Sequence, residues 1–159
     1  MNKIVYPLLL ACLLCASCTK FSYTDDRTVP NGVWNSFEPQ KFEFEWKKPD
    51  MCVDLSLTAA FDTSLYREKE FPVIVKLKSP EGESRQFRTE ISIVDRDGVM
   101  HGKANEAGQI VCHQVIRPHM FFNSKGKHSI EITQGTSKYD LVGVKTIGIA
   151  IERSNLEYK

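Results

Sequence analysis

The sequence predicts an all-β fold, a two-sheet antiparallel β-sandwich of the jelly-roll or immunoglobulin-like kind, placed after a signal peptide and a tether. Three observations predict it. Beyond residue 40, apolar side chains recur at every second position, the spacing that puts one face of a strand in a core and the other in solvent. Turn-forming residues separate these runs, and no stretch of ten or more residues keeps a 3.6-residue period. Short strands with one apolar face each bury those faces against one another, which a sandwich does economically.

The N-terminus carries a different signal. Lys3 supplies one positive charge, and Ile4 to Ala16 is apolar apart from small residues and Pro7. That is the layout of a secretory signal over residues 1–17, and the run is shorter than the roughly 20 residues a membrane-spanning helix needs. Leu14-Cys15-Ala16-Ser17-Cys18 places two small residues before a cysteine, the pattern of a lipobox, in which Cys18 receives lipid and becomes the new N-terminus. An ordinary signal peptide with Cys18 left free is the alternative. Two or more acyl chains give stable attachment without an apolar helix.

Cleavage leaves about 140 residues, enough for one domain with a real core. It also removes Lys3, which brings the 21 basic side chains level with the 20 acidic ones. No basic stripe is visible, which argues against nucleic acid as a partner. Cys12 and Cys15 leave with the signal, so Cys52 and Cys112 remain as thiols. Export permits a disulfide between them, and closing so long a loop would contribute on the order of 4 kcal/mol. Two cysteines packed as small apolar residues are the alternative.

Residues 18–40 read as a lipidated N-terminus and tether: there is no sustained period, and Pro30-Asn31-Gly32 and Pro39 supply turns. Phe21, Tyr23, Trp34 and Phe37 are too many aromatics for a free linker, so part of it is expected to pack on the domain.

Residues 41–159 carry the strands. Phe42, Phe44 and Trp46 alternate with Glu43 and Glu45, and Val53, Leu55, Leu57, Ala59 and Phe61 alternate with polar residues. Phe71, Val73, Val75 and Leu77 precede the turn Pro80-Glu81-Gly82-Glu83, after which Phe87, Thr89, Ile91 and Ile93 form the return strand of a hairpin. Asp97-Gly98 makes a further turn, Ile110 to Ile116 a further strand, and residues 123–127 turn into His128, Ile130 and Ile132. A last strand, Gly143 to Glu152, places Ile147, Ile149 and Ile151 on one face.

Several segments together resemble the gliding-motility lipoprotein H (GldH) family of the Bacteroidetes. They are the lipobox, Val29-Pro30-Asn31-Gly32-Val33-Trp34, Asp95-Arg96-Asp97-Gly98 with Gly102, Gly126 through Gln134, and Leu141 through Glu152 with Gly143. The resemblance covers nearly the whole chain and rests on the order and spacing of short motifs. It implies a lipoprotein of the cell envelope that works with the gliding machinery and an associated secretion apparatus, with envelope proteins as partners. It implies no catalytic residue and no cofactor. Thr19, not Asp, follows Cys18, which by the sorting rule of Gram-negative bacteria favours the outer membrane. The acidic pair Asp25-Asp26 comes late after Cys18, which favours the periplasmic side.

A search for chemistry finds no enzyme signature and no expected cofactor. His101, His113, His119 and His128 match no metal-ligand spacing, and Pro118 is expected to interrupt any strand shared by His113 and His119. Asp95-Arg96-Asp97-Gly98 lacks the further acidic ligands of a calcium loop and reads as a tight turn. There is no nucleophile elbow or phosphate-binding glycine loop. Two functional classes remain: a structural or interaction component of an envelope complex, and a surface lipoprotein binding glycan or another ligand through Trp34, Trp46, Tyr66, Phe121 and Phe122. Exposure separates them, because rings grouped around a cleft suit a glycan and an apolar patch at a sheet edge suits a protein.

Overall fold

The computed structural model describes residues 22–155. The signal peptide read at 1–17 and the lipidation site Cys18 lie outside the described residues. Eleven strands follow in chain order: β1 (Ser22–Thr28), β2 (Val33–Asn35), β3 (Gln40–Trp46), β4 (Val53–Phe61), β5 (Glu70–Lys78), β6 (Ser84–Ser92), β7 (Lys103–Ala104), β8 (Ile110–Met120), β9 (Gly126–Gln134), β10 (Asp140–Val142) and β11 (Val144–Arg153).

Every pairing is antiparallel. One sheet has the order β1-β11-β4-β8-β7, the other β3-β9-β5-β6, and β10-β2 forms a short ribbon. Setting aside the short strands β2, β7 and β10, the pairs are nested: β1 with β11, β3 with β9, β4 with β8 and β5 with β6. A long hairpin rolled over itself gives this order, which is the double-sheet jelly roll. The topology therefore selects the first of the two sandwich types expected.

The alternation read from the sequence is the alternation of burial. Phe42, Phe44, Val73, Val75, Ile91, Ile130 and Ile132 of one sheet meet Leu55, Leu57, Ile147, Ile149 and Ile151 of the other in one core. Each such side chain contributes about 1.5–3 kcal/mol when fully buried.

Two expectations need correction, and one pair of alternatives is decided. The tether reading of 18–40 fails from Ser22 onward, because β1 pairs with β11 along its whole length, from Ser22 opposite Glu152 to Thr28 opposite Thr146. Pro118 does not end the strand that carries His113 and His119; β8 runs through to Met120. Its pairing with β4 jumps from Arg117 opposite Leu55 to Met120 opposite Val53, so Pro118 sits in a bulge where no amide donor is required. Finally, Cys52 and Cys112 are free thiols. Cys112 lies opposite Ala59, and Cys52 just precedes β4, so roughly 23 Å of strand separates the two along the sheet. A disulfide needs Cα atoms within about 7 Å.

Ile149 packs at the sandwich centre with 2% exposure, and Ile91 is fully buried. An aspartate at either position would bury an unpaired carboxylate at a cost of several kcal/mol, comparable with the whole stability of a domain. Ile149→Asp and Ile91→Asp are expected to be insoluble or to show no cooperative melt by circular dichroism. A native-like melting curve for either would mean that its side chain does not face the core.

Candidate functional site

The motif residues singled out in the sequence gather mainly around the β2–β10 ribbon. Pro30 opens a single 3-10 turn ending at Gly32, whose φ is +65°. The Gly143 amide donates to the Gly32 carbonyl at 3.0 Å. Trp34 is buried opposite Leu141; its Nε1 donates to the Glu38 carbonyl at 2.7 Å and its ring lies 6.0 Å from that of Phe71. Gln134, also buried, donates to the Lys138 carbonyl and accepts from the Thr136 amide, which fixes the loop leading into β10. These contacts anchor the N-terminal segment to the domain. Asp95 accepts amide hydrogens from Asp97 and Val99 and closes the turn at Gly98. A Cβ on Gly102 would come within 2.8 Å of Cys112 Sγ. Gly126 lies at the far end, opposite Trp46.

Trp34 and Gln134 are buried with their polar atoms bonded internally, while Asp95 is partly exposed. The histidines are dispersed: His113 bonds Thr58, His128 bonds the Ser124 carbonyl, and His101 lies 3.7 Å from Asp95. Among the described residues, no group of three or more His, Cys, Asp or Glu side chains converges as a metal site. Sequence spacing did not reveal that His119 stands beside Ser154 at 2.7 Å and Asp54 at 3.7 Å. Both oxygens approach the same ring nitrogen, Nδ1. A proton relay needs the nucleophile and the acid on opposite nitrogens, so this is a clamp. Asp54 also accepts the His119 amide at 2.9 Å, which holds His119 at a left-handed φ of +54° and turns the chain into Phe121-Phe122.

Next to that turn the two sheets part. Gln114 of β8 stitches the edges together at one point, accepting from the Ser92 amide and donating to the Glu90 carbonyl of β6. Further along, β6 and β8 diverge around a cleft of about 520 Å³. Leu77, Phe87, Met120 and Phe122 give it apolar walls, and Arg85 and Arg117 also line it. The Arg117 guanidinium lies over the Phe87 ring at 5.6 Å.

Of the five rings considered for stacking on a ligand, Trp34, Trp46, Tyr66 and Phe122 are buried and only Phe121 is exposed. Burial raises the Tyr66 phenol above its ordinary pKa, and the hydroxyl donates to the Glu70 carbonyl. Further exposed apolar side chains gather at the β2–β10 ribbon. Val33 and Val142 are opposed on the outer face of the β2–β10 ribbon. At its end Phe37, 75% exposed, and Tyr139, 62% exposed, pack edge to face at 5.3 Å. Leu65 is exposed beside Gly143. Ion pairing shapes the outer face of β3: Lys127 and Lys41 beside Glu43 bring its carboxyl down to about 2.

A family model described as "GldH lipoprotein" matches residues 22–151. No curated protein matches the chain. Among solved structures, that of infectious bursal disease virus Gx strain is 11% identical with a TM-score of 0.35, covering 87% of this chain and 30% of that one. Desmodium yellow mottle tymovirus is 13% identical, TM-score 0.26, over 87% of this chain and 89% of the other. The empty head of turnip yellow mosaic virus is 11% identical, TM-score 0.18, over 98% and 92%. The chain thus spans less than a third of the first of these, and likeness at this level says nothing of function.

Gly143 has φ +101°, and a Cβ there would stand 2.7 Å from the Tyr66 amide nitrogen. Gly143→Ala is expected to destabilise the fold by about 1–3 kcal/mol through backbone strain, read as a lowered urea midpoint with an unchanged slope. An unshifted midpoint would show that the ribbon can take another path.

Proposed function

The chain belongs to the GldH lipoprotein family, and on that premise we propose that it is a non-catalytic envelope lipoprotein serving as an interaction subunit of a motility- or secretion-associated complex. Lipid on Cys18 fixes it to the outer membrane, with the domain facing the periplasm. The observation that carries the interaction role is the exposed ribbon face of Val33, Phe37, Tyr139 and Val142. It lies beyond the end of β1 opposite Ser22, about 20 Å along the strand from the residue nearest the anchor. A rigid domain therefore holds this face away from the membrane. Exposed aromatic and aliphatic side chains beside polar neighbours such as Asn35 and Asp140 are the composition of a protein-binding patch. Glycan stacking has less support, because four of its five candidate rings are in the core.

Two experiments test this reading. Cys18→Ser is expected to abolish incorporation of radiolabelled palmitate and to leave the precursor unprocessed by the lipoprotein pathway; undiminished labelling would remove the anchor. Phe37→Ala with Tyr139→Ala changes only exposed rings, so the fold should persist while crosslinked envelope partners are lost from a pull-down. Each hot-spot ring typically contributes about 2 kcal/mol or more to binding. Retention of every partner by the folded double variant, together with saturable glycan binding by the wild type, would favour the ligand-binding class instead.

A further inference from the structure

We propose that the cleft between β6 and β8 binds an acidic phospholipid of the anchoring membrane, with an acyl chain against Leu77, Phe87, Met120 and Phe122 and the phosphate facing Arg85 and Arg117. This rests on the reading that Cys18 is lipidated.

The first support is position. Ser22 lies opposite Glu152, Arg153 opposite Val53, and Val53 opposite Met120. Met120 is thus three strand spacings from β1, about 14 Å across the sheet. Cys18 is four residues before Ser22, and that much chain reaches at most about 14 Å. The sheets are joined at this end by Tyr23 packed on Phe44 at 5.1 Å and Phe44 on Phe122 at 5.2 Å. The cleft therefore opens at the end of the sandwich that the acyl anchor holds to the membrane.

The second support is chemistry. A water-facing turn has no need of Phe121, 44% exposed at the cleft, whereas aromatic rings favour the boundary between headgroups and acyl chains. Lys47, Lys125 and Arg153 are exposed around the same end beside Glu45, Asp50 and Glu152, while Lys127 is paired with Glu43; cations near an acidic leaflet favour binding to it. Glu81 and Glu83 also line the cleft, Glu83 at 3.9 Å from Arg85, so the rim carries both signs. The arginines supply planar donors matched to a phosphate. At about 520 Å³ the cleft falls within the range of small-molecule sites, which suits one acyl chain with its headgroup at the mouth.

Trp46 provides a reporter, since its ring lies 5.0 Å from Phe122 in the cleft wall, while the second tryptophan, Trp34, lies at the other end. The protein used is the mature chain carrying Cys18→Ser, prepared without detergent and checked for a cooperative melt by circular dichroism. The probe is lysophosphatidylglycerol with a dibrominated stearoyl chain, below its micelle concentration. Saturable quenching is expected in the wild-type domain and lost in Trp46→Phe. The midpoint should be at least tenfold weaker in Arg85→Glu with Arg117→Glu, and inorganic phosphate should not displace the probe. Absence of saturable quenching, an unchanged midpoint in the double variant, or displacement by phosphate alone would overturn the proposal. Flotation of the native palmitoylated protein with vesicles is scored separately: a chain that binds the probe but does not float sinks the anchor, and one that floats but does not bind sinks the cleft.

Discussion

The rest of the structure depends on β11 lying between β1 and β4. Its backbone is hydrogen-bonded on both sides, and Ile147, Ile149 and Ile151 fill the centre of the core beneath it. Through β1 it fixes where the chain enters the domain; through β4 it fixes the strand whose other edge carries β8 and the cleft. Because the last long strand closes onto the first, none of the outer pairs can form from local sequence alone. Long-range pairing of this kind carries a high contact order and slow folding relative to local hairpins. The β5–β6 hairpin, joined by a turn at Ser79–Glu83, is the local piece on which the larger loops can close.

Much of this was legible in the alternation of apolar residues. Period two marks the inward faces of β3, β4, β5, β6, β9 and β11, and Phe42, Ile91, Ile130 and Ile149 each sit buried at the position it requires. What was not legible is physically distinct. β1 reads Ser-Tyr-Thr-Asp-Asp-Arg-Thr, the composition of a solvated spacer. It is an edge strand, and its half-buried positions are occupied by Tyr23, Asp25 and Arg27, with Asp25 paired to Arg27 and Arg27 over Phe42 at 5.0 Å. Charge directed inward at an edge discourages pairing with another molecule, and the same device hides the strand from a hydrophobicity pattern. Pro118 misled for the converse reason: a breaker by rule, it sits where a bulge asks nothing of it.

The candidate site divides in the same way. The motif residues proved to be architectural: Gly32 and Gly143 take left-handed backbone in close quarters, and Trp34 and Gln134 satisfy their polar atoms internally. Such requirements leave a trace at single positions, which is why order and spacing could identify the family. A surface for binding leaves no such trace. The cleft is assembled from β5, β6, β8 and the turn after β8, and its residues lie on either side of a long stretch of chain. Only the nesting of strand pairs brings Phe87 under Arg117, and no spacing along the sequence encodes that neighbourhood.

The two ends of the sandwich follow from one constraint, that β1 begins pairing at Ser22 so soon after Cys18. If Cys18 carries the proposed lipid, at most about 14 Å of chain separates it from β1, and the domain could not reorient above a membrane as freely as it could on a long spacer. Under the proposed lipidation of Cys18, one end would be held at the headgroups and the β2–β10 ribbon held outward by the length of the strands. A partner meeting Phe37 and Tyr139 would then encounter them in a restricted orientation, having lost part of the rotational freedom that association otherwise costs. Lengthening the segment between Cys18 and Ser22 with a flexible insert would restore that freedom without touching either surface. Partner capture in cells should then weaken while the fold and the lipid are unchanged; capture that is indifferent to insert length would mean that the short connection does not orient the domain.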